Sequence, residues 1–311
     1  MSNYSLKFYI IKSILSKKIP FLILLSFLIG NCSTSKTKQL NSSEYKLLLS
    51  SEKFDDPLTG FKNYWKIVKT VAKNHGIKVI EKEQTFDLKH KEISFFDTEN
   101  LALRKAGFLI RQKVKYKKGQ KKPGFEYGVK YRRTDPANAL AVDLILHDGY
   151  TPKDETIELE SDVVYFSRNN GSAETTYSVS NSTLLDEAPE MRLGSFADIY
   201  PALGKLGIPE TAPLTKVAGV SADEWMVVPG KLDFGDGLFG RVDMTVWIIP
   251  TRDGELRIPE FSFDHPFVDG KQYNKDAMSR CTQFIVKLQE FEPSWVVPGA
   301  LKAAFLFELE Q

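Results

Sequence analysis

Arg111, Lys113 and Lys115 alternate with apolar residues along 107–117, and Lys130 and Arg132 do so along 125–133. As strands, these stretches would each present one cationic and one apolar face. Two later stretches repeat the plan in acid. Glu158, Glu160 and Asp162 lie opposite Ile157, Leu159 and Val163, and Glu260, Ser262 and Asp264 lie opposite Phe261 and Phe263. Residues 239–250 carry both signs, with Arg241 and Asp243 set against Val242 and Met244. Rows of fixed cations suit phosphate oxygens, arginine by a bidentate fork and lysine as a point charge. Facing carboxylates suit a divalent cation.

An ordinary antiparallel sheet with one face in water accounts for the alternation, but not for the segregation of charge by strand. A sheet closed into a barrel, its ionic faces turned inward, accounts for both. Like charges about 5 Å apart at an effective dielectric near 20 repel by roughly 3 kcal/mol, so inward cations need acids or a bound anion among them. The sequence therefore predicts an α+β fold: an antiparallel eight-stranded barrel around a polar tunnel, with helices packed outside.

The elements that would position these faces follow from periodicity and turn residues. Strands are expected at 77–88, 107–117, 125–133, 156–165, 175–179, 214–228, 239–250 and 255–263. Phe61, Tyr64, Trp65, Val68, Val71 and Ala72 recur at helical spacing before Gly76. Further helical patterns cover 100–105, 196–206, 275–291 and 299–308. The lysine-rich stretch 115–124, with Gly119, Pro123 and Gly124, reads as a solvated hairpin tip.

Other chemistries find little support. His75, His90, His147 and His265 lack ligand spacing, and no phosphate-loop, dinucleotide or nucleophile-elbow pattern occurs. The 311 residues carry 42 Lys+Arg against 40 Asp+Glu, too even a balance for a dedicated nucleic-acid binder. Two cysteines leave no disulfide scaffold and no cysteine-based metal cluster. Cys281 reads as a core residue.

Residues 1–31 combine a lysine-bearing, acid-free start with an apolar run of about eleven residues, the layout of a secretory leader. The run ends in Leu28-Ile29-Gly30-Asn31-Cys32, which resembles a bacterial lipoprotein signal of the looser, spirochaete-like kind. That resemblance implies lipidation at Cys32, a membrane anchor and a location in the cell envelope, on the inner or outer membrane. Residues 32–56 are expected to form a polar tether, and 57–311 the barrel domain.

The stretch FFDTENLALRKAGFLIRQKVKY, followed by FEYGVKYR, resembles the signature region of the CYTH superfamily, the triphosphate tunnel metalloenzymes. Phe96, Asp97, Thr98, Leu101, Leu103 and Gly107 fit its first part, Arg111 and Lys113 its alternating basic strand, and Lys130 the lysine of the next. The family opens on a strand with two glutamates and a lysine at alternating positions; Glu81 and Glu83 match, and Thr85 stands at the lysine position. On the closing strand Glu260 matches and Ser262 replaces a common second glutamate.

The resemblance implies a triphosphate-type ligand held in the tunnel by Arg111, Lys113, Lys130, Arg132 and Arg241. Glu81, Glu83 and Glu260 would bind magnesium or manganese, and Glu158 and Glu160 would orient water or supplement the metal. A lipid-anchored triphosphatase or polyphosphatase is one reading, with tripolyphosphate or polyphosphate as the anion. A non-catalytic anion-binding module, or a scaffold lipoprotein, is the alternative.

Overall fold

The computed structural model describes residues 40–154, 157–165, 173–267, 273–297 and 301–309. The strands are β1 (Ser42–Leu49), β2 (Lys78–Glu81), β3 (Lys89–Asp97), β4 (Phe108–Lys117), β5 (Gln120–Lys121), β6 (Phe125–Arg133), β7 (Glu158–Tyr165), β8 (Ala173–Leu185), β9 (Thr215–Lys216), β10 (Ala222–Asp233), β11 (Phe239–Thr251), β12 (Gly254–Pro266) and β13 (Val296–Val297). The helices are α1 (Pro57–Asn74), α2 (Ala102–Ala106), α3 (Pro136–Ala141), α4 (Leu193–Ile199), α5 (Lys275–Phe291) and α6 (Lys302–Glu308).

Nine strands close a barrel in the order β10-β11-β12-β1-β7-β8-β6-β4-β3, and β3 returns to β10. The expected count of eight is corrected to nine, and the barrel is not wholly antiparallel. β1 runs parallel to β7 while pairing antiparallel with β12 on its other edge.

β1 is itself a correction. Residues 42–49 were expected in the tether, yet Tyr45, Leu47 and Leu49 are buried in a core while Glu44 and Lys46 face the opposite way. The stretch 77–88 is corrected in the other direction. It forms only the four-residue β2, which extends the edge of β10 beyond β3, and then a turn that holds Glu83 and Thr85. The strand that enters the barrel there is β3, and Thr85 Oγ1 donates to Lys82 O at 2.7 Å within the turn.

Outer apolar faces bury against helices on two sides. Tyr45, Val242, Met244, Phe261 and Phe263 meet Phe61, Tyr64, Trp65 and Val68 of α1 and Cys281, Phe284 and Leu288 of α5. Each such side chain contributes roughly 1.5–3 kcal/mol on full burial. α1 begins where Pro57 occupies its first turn and the Asp56 side chain accepts from Thr59 N at 2.7 Å. On the other side Ile110, Tyr127, Val129 and Val179 pack on Leu193, Phe196 and Tyr200.

A third apolar cluster lies inside one end of the barrel. Leu306 and Phe307 of α6 join Leu48, Ile93, Phe95, Trp247, Ile249 and Ile258, all from inward positions of their strands. The Asp-Thr pair of the signature stretch has a local task nearby. Asp97 accepts from the amides of Leu103 and Arg104, both at 2.9 Å, and so caps α2. Gly107 ends α2 at φ 89, and a Cβ there would also run into the Arg133 guanidinium. No helix among the described residues is long and apolar enough to cross a membrane.

Candidate functional site

The strand registers fix which side chains share the lumen. Glu44, Asp264 and Arg241 lie opposite one another across β1, β12 and β11, as do Lys46, Ser262 and Asp243. Lys91 faces Glu224 on one side and Lys115 on the other. Lys113 faces Glu126, Arg111 faces Gly128, and Lys130 and Arg132 face Ser180 and Ser178. Glu158, Glu160 and Asp162 continue the ring from β7. The interior is therefore ionic along most of its length, with charges of both signs interleaved.

One group surrounds Asp162, whose side chain has no exposed surface. Lys46 Nζ lies 2.7 Å from both Asp162 and Glu44, Arg132 Nη2 lies 2.6 Å from Asp162, and Lys130 lies 2.7 Å from Glu160. Burial alone would raise the Asp162 carboxyl, but Lys130, Lys46 and Arg132 together hold it far below the usual carboxylate range. Glu160 moves the other way, raised by burial and by the neighbouring Asp162 and Glu44. Glu44, Glu160 and Asp162 each offer an oxygen within 4.8 Å of the others, an acidic cluster shared by the Lys46 and Lys130 ammonium groups.

A second group joins Glu126 to Lys113, Lys115 and Lys153 at 3.0, 3.2 and 3.3 Å. Against the effect of burial, these lysines pull the Glu126 carboxyl down to about 2. Lys113 is lowered to about 8, first by burial and then by the Arg111 charge beside it. A third group holds Glu224 between Lys91 at 3.2 Å and the Trp247 indole Nε1–H at 2.8 Å, with Lys302 arriving from α6. Arg241 bridges Asp243 at 2.7 Å and Asp264 at 3.1 Å.

Several polar groups are left over. Arg111 makes no ion pair or hydrogen bond among the described residues, and its neighbour on β6 is Gly128, against which the Ser182 side chain of β8 packs. Arg132 Nε, Ser178 Oγ and Thr176 Oγ1 are buried without hydrogen-bond partners. Unsatisfied buried donors are uncommon, because each forfeits its hydration. All three face the lumen, Ser178 directly across from Arg132 and Thr176 across from Asp162.

The residues singled out from sequence divide clearly. Arg111, Lys113, Lys130, Arg132, Arg241, Glu158, Glu160 and Glu260 share the lumen. Glu81 does not: it accepts from Trp65 Nε1 at 2.7 Å and Lys69 at 3.1 Å, fastening β2 to α1 on the outside. Glu83 sits in the turn after β2, where it lines a surface cavity of about 480 Å³ with Lys82, Gln84 and Asp87. As metal ligands, both are corrected by their position. Glu260 is inward but lies 3.2 Å from Lys302. Cys32 and the leader lie outside the described residues.

Sequence reasoning missed Glu44, Lys46, Lys302 and the hydroxyl row of β8, and gave Glu126, on the ionic face of 125–133, no role of its own. A signal for β1 existed, since Glu44 and Lys46 alternate with Tyr45 and Leu47. Ser42, Glu44 and Lys46 take alternate positions of β1, opposite Pro266, Asp264 and Ser262 of β12.

No family model and no curated protein matches the chain. Solved structures do. A Hippeastrum protein described as an adenylyl cyclase candidate with a dominant triphosphatase activity is 11% identical, covering 86% of this chain and 95% of its own, with a TM-score of 0.42. An adenylate cyclase candidate from Bacillus halodurans is 13% identical over 86% of this chain and 100% of its own, TM-score 0.38. A protein from Pyrococcus horikoshii is 12% identical over 86% and 98%, TM-score 0.34.

Proposed function

We propose that the tunnel binds a linear, phosphate-rich anion of the triphosphate or polyphosphate class. The observation that carries this reading is the unpaired Arg111 beside Gly128, on the wall where Arg132 Nε, Ser178 and Thr176 also lack partners. Gly128, Lys130 and Arg132 are successive inward positions of one strand, so at about 3.4 Å per residue their row extends some 13 Å, which suits an extended anion better than a compact one. Lys130 and Arg132 are balanced by Glu160 and Asp162, whereas Lys113, Lys115 and Lys153 share the one carboxylate of Glu126, so an incoming anion meets Arg111 beside a local surplus of ammonium groups.

Titrating the full chain with tripolyphosphate in a calorimeter tests this. Saturable heat is expected, weakened at least about tenfold by Arg111→Met; absence of heat at any pH between 6 and 8 would reject the reading.

Hydrolysis of the bound anion is a second reading, favoured by Glu160. Its carboxyl is raised by burial and by adjacent acids while it accepts from Lys130 at 2.7 Å, which suits a group that orients water or accepts its proton. Phosphate release from tripolyphosphate by the native chain, lost in Glu160→Gln while binding persists, would support turnover.

The divalent metal implied by the resemblance meets a lumen whose close carboxylates already enclose ammonium groups. Residues 1–31 and Cys32 complete the proposal as a lipoprotein leader and acylation site that hold the tunnel at the cell envelope. Mass spectrometry of the mature amino terminus checks this, and an unmodified Cys32 would reject it.

A further inference from the structure

We propose that Lys302 is a tethered counter-ion, its ammonium taking the place between Glu224 and Glu260 that a divalent cation would otherwise contest, and that the tunnel takes up its anion without metal. The second half rests on the anion-binding reading above; the first half does not.

Lys302 comes from the last helix, not from the barrel wall. Its Nζ lies 3.2 Å from Glu260, 3.9 Å from Glu224 and 2.5 Å from Thr245 Oγ1, and 4.8 Å from the centre of the Trp247 ring. With 9% of its side chain exposed, the ammonium has exchanged water for two carboxylates, a hydroxyl and an aromatic face. That set suits an ammonium, which has three donors and a single charge. A magnesium or manganese ion would need about six oxygens, including carboxylate oxygens not already shared with a cation.

The placement is enforced by packing. Leu306 and Phe307, one turn further along α6, are buried among Ile93, Phe95, Trp247 and Ile258, and Arg104 of α2 lies 4.2 Å above the Phe307 ring. This apolar wedge holds the start of α6 over the barrel end, within reach of Glu260. Glu224 stays ionised in this setting: burial would raise it, but Lys302 and Lys91 bring it down to about 2.

The other close group of acids follows the same design, since Lys46 sits within 2.7 Å of both Glu44 and Asp162. The expected ligands Glu81 and Glu83 lie outside the lumen altogether. Arg241 likewise bridges Asp243 and Asp264, so each of these three inward acid groups is met by a cation of the chain itself.

The test titrates Mn²⁺ alone into the full chain, read by calorimetry and by the electron paramagnetic resonance of free Mn²⁺. The native chain and Lys302→Arg are expected to show no lumen site. Lys302→Met should gain one, at least about tenfold tighter than any native binding, and lose it again when Glu224→Gln and Glu260→Gln are added. In parallel, tripolyphosphate should bind the native chain equally well in EDTA and in Mn²⁺. A native Mn²⁺ site abolished by Glu260→Gln, no gain in a folded Lys302→Met, or tripolyphosphate binding that requires metal would each overturn the proposal. If Lys302→Met does not fold, the native and Lys302→Arg titrations still decide. If tripolyphosphate binds under neither condition, the anion reading fails, while the Mn²⁺ titrations still judge Lys302 on their own.

Discussion

Lys46 on β1 sets its ammonium 2.7 Å from Asp162 on β7, across the parallel strand pair that completes the ring. The contact joins residues 116 positions apart and neutralises a carboxylate with no access to solvent. Removing one member of such a pair strands the other in a poor solvent, although Arg132 and Lys130 remain to share the load. Lys46→Met is therefore expected to lower unfolding free energy by about 3 kcal/mol. Urea denaturation checks this: the midpoint should fall while the slope stays constant.

Acid stability should depend on Glu126. Its folded carboxyl titrates at about 2, against about 4.3 when unfolded, so the unfolded chain binds the proton first as pH drops. The stabilisation is complete above about pH 4.5 and is lost between there and about pH 2. Glu160, Asp243 and Asp264, all raised by burial, act in the opposite sense and partly offset the loss. Denaturation midpoints measured across this range should fall less steeply for Glu126→Gln than for the native chain.

Anion binding should take up a proton near pH 8. The Lys113 ammonium is lowered to about 8 by burial and by Arg111, and a bound polyanion would restore its charge. Affinity for tripolyphosphate is expected to fall as pH rises through 8, and binding heats at that pH should vary with the ionisation enthalpy of the buffer. Lys113→Met should abolish the buffer dependence.

Gly128 tests whether the wall beside Arg111 is used. Its backbone does not need glycine, but a Cβ would come within 2.8 Å of Ser182 Oγ, the tip of a side chain that can rotate away. Gly128→Val is expected to fold, with a stability loss of about 1–2 kcal/mol, and to bind tripolyphosphate at least about tenfold more weakly. Circular dichroism and calorimetry on the same sample separate the two effects.

Glu81 should behave as a structural residue. Its partners are Trp65 and Lys69 of α1, and its side chain is 42% exposed. Glu81→Gln is expected to cost about 1 kcal/mol through the weakened indole contact and to leave tripolyphosphate binding unchanged. A loss of binding would return Glu81 to the lumen.

The inward ionic face was legible because strict alternation allows only two arrangements, and five strands repeated one of them. Residues such as Arg111, Lys130 and Glu160 could be named from that pattern alone. β1 was obscured because its eight residues follow a polar serine- and lysine-rich stretch, so four alternations had to be distinguished from a tether. The glutamates at 81 and 83 misled because a motif can be matched where the chain turns. Gln84 to Asp87 closes that turn with a backbone bond, which no pairing of charges could reveal. Lys302 lay beyond reach for another reason: nothing in a short apolar helix shows which cavity will receive its lysine.

The parallel seam has a consequence for how the chain is made. β1 is the earliest strand among the described residues, yet one neighbour is β7 and the other is β12, more than two hundred residues downstream. A ribosome or a translocation pore delivering this polypeptide would release a strand with both edges bare long before its partners emerge. Ring closure must then be a late, slow event, and the interval before it is when the molecule is most exposed to aggregation.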